Sequence, residues 1–375
     1  MNILVTGSSG FIGKNLISTL KLHPGWKVME YDRNTEWYLL EEFCRTCNFV
    51  FHLAGVNRPK RMEEYAEGNT GVTKELMGLL EKSGNSCPVM LASSIQAEED
   101  NPYGKSKKAA EKAVLQHAGV MNSKVFIYRL PNIFGKWARP DYNSVVATFC
   151  HHIARNDAVT VNDPAAMMEL VYIDDLVAEL IRILDGKICK PEFESRMGNY
   201  CTVPVSCHKT VGEIAAYITE FAKMNDRRGI PNLEDDFMKK LYSTYLSYLP
   251  YEKIKYGLTM NCDARGSFTE MLRTEGSGQI SVNISKPHVI KGNHWHHTKH
   301  EKFLVVRGEG LIRLRMLREE NVTRIPVSGR KLEIVEIPPG YIHNIENTGE
   351  EDMVTVMWAN EVYCPDTPDT YYEEV

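Results

Sequence analysis

With 375 residues, 43% of them apolar and 25% charged, and a formal net charge of -5, the chain has an ordinary globular composition and enough length for two hydrophobic cores. The small negative balance supplies no field that would draw nucleic acid or an anionic membrane, and no apolar run approaches the roughly 18 residues of a spanning helix. Nine cysteines scattered from Cys44 to Cys364 lack framework spacing and read as reduced thiols, and the start MNILVTG carries no cleavable leader, so the expected location is cytoplasmic.

The first 130 residues alternate short β-branched runs with helical stretches: Ile3 to Thr6, a helix to about Lys21, Lys27 to Tyr31, Phe49 to Leu53, Val89 to Ala92 and Val125 to Tyr128. That rhythm predicts a parallel sheet with crossover helices. The first run enters Gly7-Ser8-Ser9-Gly10-Phe11-Ile12-Gly13 and then an apolar-periodic helix. Glycines there let the backbone approach a pyrophosphate, and the helix N-terminus offers it free N–H groups and positive dipole. The second run ends in Asp32-Arg33. An acid at that point takes a ribose 2′-hydroxyl, as in NAD, whereas an arginine pairs with a 2′-phosphate, and the reading leans to NADP. Cys44 and Cys47 form a CxxC with no second pair nearby, read as two semi-buried thiols on a helix.

The run Pro88 to Ala92 leads into Ser93-Ser94, followed by Asn101-Pro102-Tyr103-Gly104-Lys105-Ser106-Lys107. Asn101 is a good N-cap and Pro102 a good first helical residue, which places Tyr103 and Lys107 four apart on one helix face. A lysine ammonium beside a phenol lowers the phenol's pKa, so Tyr103 could give a proton to a carbonyl oxygen while Ser94 holds the same oxygen. Together with HLAG at 52–55, RLPNIFG at 129–135 and VYIDDLVAEL at 171–180, these motifs resemble the extended short-chain dehydrogenases/reductases that act on nucleotide sugars. The resemblance implies a Rossmann-type doubly wound domain over about the first 240 residues. It also implies that Leu53, Ala54, Gly55 and Asn69 line the cofactor, and that Arg129 through Asn132 help form the cofactor and substrate walls. The 4,6-dehydratases of that family carry an Asp-Glu pair directly after the catalytic hydroxyl residue; Ile95-Gln96 stands here, which favours reduction or epimerisation over loss of water.

In the connecting stretch 241–257, Tyr242, Tyr245 and Tyr248 recur every third residue and read as a helical turn packing on a neighbouring domain. The division between domains is expected at 245/246. From about Cys262 onward, short strands separated by turn residues (SVNIS, EKFLVVRG, GLIRLRML, KLEIVEIPPG, MVTVMWAN) predict an all-β domain. Within it, His294 and His296 are two apart and share a strand face, Glu301 follows, and the strand-turn-strand unit around Pro338-Pro339-Gly340 returns His343 to them. Three imidazoles and one carboxylate suit a divalent ion with a position left for substrate; zinc is the first choice, with iron, manganese and nickel open. His297 falls on the other face and His300 in a turn, where structural roles are expected.

HxHx4Ex6G and PxGx2Hx3N resemble the two cupin motifs, with His288 standing where the first one begins with glycine. The DxRGxFxE pattern at 263–270 is similar to the opening of the cupin-fold 3,5-epimerases of keto sugars, which implies that Arg265 and Glu270 help hold a nucleotide sugar. From end to end, including SSIQA, NPYGKSK, KGNHWHHTK and PDTYYEEV, the chain resembles the bifunctional capsular-polysaccharide enzymes of the CapF type. That resemblance implies C3 epimerisation of a UDP-2-acetamido-2,6-dideoxy-4-hexulose in the cupin domain. It further implies NADPH-dependent reduction of C4 in the reductase domain, on the route to UDP-N-acetyl-L-fucosamine, and a homodimer through the barrels. The rival readings are a single-activity reductase whose cupin domain only dimerises or tethers, and a dinucleotide-sensing regulator without catalysis.

Overall fold

The computed structural model describes residues 1–186, 191–195, 198–224, 226–274, 276, 278–364 and 366–375. The chain forms two compact units, one of Met1–Thr219 with Lys239–Pro250 and the other of Glu220–Met238 with Tyr251–Val375. The expected division at 245/246 lies inside the Lys239–Pro250 stretch, so the tyrosine segment packs on the first unit itself. Tyr245 is buried and Tyr248 donates its hydroxyl to the Ala138 carbonyl at 2.6 Å.

The first unit is built on five parallel strands, β1 (Asn2–Thr6), β2 (Lys27–Tyr31), β3 (Phe49–His52), β4 (Val89–Ser94) and β5 (Val125–Leu130), in the order β2-β1-β3-β4-β5. Strands Gly198–Cys201 and Pro191–Ser195 extend the β5 edge. The inner strands read as continuous apolar runs because both faces are covered. Alternate residues divide between two cores: Ile3, Val5 and Phe51 face one side with Leu16, Leu20 and Leu180, while Leu4, Val50 and Leu91 face the other with Leu76, Leu80 and Val114. Chain order reverses between β1 and β3, and in such sheets the crevice beyond the carboxyl ends of those strands receives the ligand. Gly7 and Leu53–Gly55 leave the sheet at those two ends.

Seven described cysteines are free, including the buried Cys44, Cys47 and Cys87, with the Cys47 and Cys87 sulfurs 3.6 Å apart. Cys201 departs from the expectation of reduced thiols, since it is disulfide-bonded. Among the described residues no helix is long and apolar enough to cross a membrane.

The second unit is two mainly antiparallel sheets. One runs Gly229–Ile230, Gly266–Thr274, Gly278–Ser285, Met353–Ala359, Glu301–Arg307, Ile334–Ile337; the other runs Val322–Ser328, Glu309–Met316, Tyr341–Asn347, Ile290–Trp295, Tyr371–Tyr372. Phe303, Val305 and Ile337 of the first sheet share a core with Ile312, Leu314 and Ile345 of the second, so the sheets pack face to face. Every run expected as a strand from the sequence contributes one, and Val322–Ser328 and Tyr371–Tyr372 join them although the periodicity did not mark them out.

Candidate functional site

The glycine loop turns directly off β1. Gly7 has φ +69°, and a Cβ on it would come within 2.7 Å of the Ala54 nitrogen, so only glycine allows the turn to pass over the β3 end. Gly10, with extended backbone, is the N-cap of helix Phe11–Leu20, so Phe11 and Ile12 open that helix with N–H groups facing the turn, and Gly13 lies against the Gly7 carbonyl. At the end of β2, Asp32 is held below the usual carboxylate range by the backbone N–H of Asn34 and by the Ser9 and Thr35 hydroxyls, while Arg33 beside it is exposed. The loop therefore has the form that a dinucleotide pyrophosphate fits, with an anion acceptor and a cation at the ribose end.

Tyr103 and Lys107 lie on helix Pro102–Met121, whose N-cap Asn101 accepts from Gly104 N at 2.7 Å. The phenol is hydrogen-bonded to Ser94, the last residue of β4, and Lys107 Nζ lies 5.9 Å from the ring centre while donating to the Ala92 carbonyl at 2.9 Å. Gly55 closes the other side: a Cβ there would meet Asn69 Oδ1 at 2.7 Å and Lys107 Nζ at 3.2 Å. Asn69 is itself fixed by the Val56 backbone and the Ser106 hydroxyl. The electrostatics differ from the expectation of an acidified phenol. Burial raises the Tyr103 pKa and outweighs the Ser94 hydrogen bond. Burial also brings Lys107 down to about 8, with Glu111 acting in the opposite sense.

Arg129 lies on β5 and Asn132 two residues beyond its end. The Arg129 guanidinium is committed to the buried Glu111, at 3.0 and 2.8 Å, and also pairs with Glu98, while Asn132 is exposed and donates to the Glu169 carbonyl. Glu111, which no spacing marked, ties Ser93 next to Ser94 to this arginine through a 2.5 Å hydrogen bond.

In the second unit the four expected ligands converge. One ligand atom from each of His294, His296, Glu301 and His343 lies within 4.8 Å of every other. The antiparallel register sets His294 directly opposite His343, with an irregularity between Gly292 and His294 that turns the histidine pair inward. His296 Nε2, His343 Nε2 and Glu301 Oε2 are buried without a satisfying hydrogen bond, a cost that a shared cation would remove. The outer nitrogens of two imidazoles are occupied: His296 Nδ1 meets the Asp369 carbonyl and His343 Nδ1 the Tyr341 carbonyl, which leaves each Nε2 lone pair facing the cluster. Burial and the neighbouring imidazoles bring His294 down to about 3, so it is neutral. Burial opposes ionisation of Glu301, yet the His296 and His343 ring nitrogens at 3.5 and 3.2 Å from its Oε2, together with the Lys299 ammonium, hold it well below the carboxylate range. Neutral imidazoles with an ionised carboxylate are the donor set a divalent ion takes.

His297 packs edge-on to Trp295 and Tyr371, and His300 edge-on to Trp358. Arg265 and Glu270 are not drawn into the quartet. Arg265 is exposed and forked onto Asp263, two residues back across a tight turn, whereas Glu270 is buried and holds Arg273 and Arg228. Lys299 and Asp369, both in contact with the ligands, were not marked by spacing, because they act across a turn and across about 70 residues of chain.

The NAD dependent epimerase/dehydratase family matches residues 3–191, and the Polysaccharide biosynthesis C-terminal domain matches residues 261–371. The chain is 42% identical over 373 residues, 99% of its length and 98% of the relative's, to UDP-2-acetamido-2,6-beta-L-arabino-hexul-4-ose reductase of Pseudomonas aeruginosa. It is similar over 100% of both chains to the crystal structure of the capsular polysaccharide assembling protein CapF from Staphylococcus aureus, with 47% identity and a TM-score of 0.92. A plant relative, UDP-glucuronic acid decarboxylase 3 of Arabidopsis thaliana, is 22% identical over 69% of this chain and 87% of its own.

Proposed function

The chain belongs to the NAD dependent epimerase/dehydratase family and is of the CapF type along its full length, and from that premise we propose that it is a bifunctional nucleotide-sugar enzyme. Its second unit, a cupin, inverts C3 of a UDP-2-acetamido-2,6-dideoxy-4-hexulose. Its first unit then reduces the C4 ketone with NADPH to UDP-2-acetamido-2,6-dideoxy-L-talose, for UDP-N-acetyl-L-fucosamine and a surface polysaccharide. The observation that carries the reading is the presence in one chain of two sites that use the same 4-keto group: Ser94, Tyr103 and Lys107 in one, His294, His296, Glu301 and His343 in the other.

In the reductase site the glycine loop and Arg33 hold the dinucleotide, which when bound supplies hydride to C4. The Tyr103 hydroxyl gives its proton to the ketone oxygen, and Ser94, already bonded to the phenol, steadies that oxygen. Lys107, positively charged below about pH 8, stabilises the phenolate that remains. In the other site the three histidines and Glu301 would hold a divalent ion, zinc first, whose positive charge makes the proton on the carbon next to a bound ketone more acidic. A homodimer through the cupin units is supported by the half-buried apolar row of Val282, Ile284, Val354 and Val356, cross-strand partners on the sheet face opposite the core.

The test is NMR of the 4-keto substrate in D2O with enzyme and no nicotinamide, beside a His296→Ala variant. Deuterium is expected at C3 with the parent enzyme and not with the variant. Exchange with neither protein, while NADPH is still oxidised on adding substrate, would reduce the cupin unit to a scaffold and the enzyme to a plain reductase.

A further inference from the structure

Outside the two sites, the segment 369–373 is stitched to the ligand strand more densely than a surface tail requires. The Asp369 carboxylate accepts the backbone N–H groups of His297, Thr298 and Lys299 at 2.8, 2.8 and 2.9 Å, and the Thr298 hydroxyl at 3.2 Å. Its carbonyl oxygen meets His296 Nδ1. Beyond it, Tyr371 and Tyr372 pair antiparallel with Trp295 and His294, the Tyr371 ring stacks on Trp295, and Glu373 N donates to the Asn293 carbonyl at 3.1 Å. Residues 297–299 are the turn between ligands His296 and Glu301, and Lys299 Nζ pairs with Glu301 Oε1 at 3.0 Å.

We propose that Asp369 is a positioning residue of the metal centre: its carboxylate clamps the 297–299 turn, and its carbonyl fixes the His296 ring with Nε2 free for the ion. Three of the four ligands meet the same segment, His294 through strand pairing, His296 through the carbonyl and Glu301 through Lys299. An imidazole whose outer N–H lacks an acceptor can rotate or take the other tautomer, and such outer partners are commonly worth about 10- to 100-fold in metal affinity. Because coupling is reciprocal, the ion should in turn tighten the segment. The inference rests on the metal reading of the quartet.

Zn2+ affinity is measured by competition with a chromophoric chelator, and thermal unfolding with and without Zn2+, for the full chain, Asp369→Ala, Asp369→Asn and a chain ending at Pro368. Asp369→Ala and the shortened chain should bind Zn2+ about 10- to 100-fold more weakly and lose most of the metal-induced rise in Tm. Asp369→Asn, keeping one acceptor oxygen, should fall between. Zn2+ should also slow hydrogen exchange at the Glu373 amide of the parent chain. Unchanged affinity in the variants, with Tm lowered equally with and without metal, would leave Asp369 a purely structural residue and overturn the proposal alone. A parent chain that binds no Zn2+ would overturn the metal reading as well.

Discussion

At the scale of single residues, the reductase site sets a buried lysine against a half-buried phenol. Lys107 titrates at about 8 in the folded protein against 10.5 for the free group. Between those values the unfolded chain carries the extra proton, so stability should rise with pH from about 8 toward 10, by up to about 3 kcal/mol, and stay level below 8 where both states are protonated. Lys107→Met should lack that rise, as denaturant titrations of the two proteins at pH 7 and pH 9.5 would reveal. Tyr103→Phe should keep the fold and lose about 10²- to 10⁴-fold in kcat for NADPH oxidation, because only the proton donor is removed. Arg33→Ala should raise KM for NADPH by about 10-fold or more with little effect on NADH, the loss of one charge-assisted contact to a 2′-phosphate. Equal effects on both cofactors would show that Arg33 does not meet that phosphate.

The residue spacings legible in the sequence were those fixed by local geometry. Tyr103 and Lys107 share a face because a helix repeats every 3.6 residues, and His294 and His296 share one because a strand repeats every two. The phenol's raised pKa was not legible, since it follows from burial by Tyr65 and its neighbours, which only the folded chain assembles. His288 is the informative intermediate. It stands where the motif begins with glycine, and the structure gives it φ 61°, the left-handed conformation glycine serves, so the turn survives the exchange at a strain of order 1 kcal/mol.

At the scale of elements, what positions the chemistry is where strands end and helices begin. Ser94 closes β4 and caps the short helix Ile95–Glu98, and Gly104 lets the catalytic helix start close beneath it, since a Cβ there would lie 2.1 Å from the Gln96 carbonyl. The strand runs could be read from their apolar character, but Glu111 could not: its partners Ser93 and Arg129 come from adjacent strands, and only the sheet order brings them together. The apolar row on the strands Gly278–Ser285 and Met353–Ala359 carries its own expectation. Val356→Lys places a charge in the middle of that row and should convert a dimer to monomers in sedimentation experiments, with the C3 exchange site left intact in the dissociated chain. A variant that sediments as the parent does would remove this face from the interface.

At the scale of the whole molecule, the two sites draw on different physics, and this makes them separable. On the proposed reading the first unit works through side chains and backbone alone: Tyr103 gives the proton, Lys107 supplies the positive charge and the glycine loop holds the dinucleotide. The second concentrates three imidazoles and a carboxylate in a buried cluster with orphaned donor atoms, which a bound cation would relieve. A strong chelator should therefore abolish deuterium entry at C3 and lower the unfolding temperature of the second unit. With substrate whose C3 is already inverted, NADPH oxidation should continue at its former rate. Zn2+ added back should restore both the exchange and the lost stability, the latter in proportion to RT ln(1 + [L]/Kd). If chelation stopped NADPH oxidation on the inverted substrate as well, the ion would be serving both units, and the assignment of one reaction to each would have to be given up.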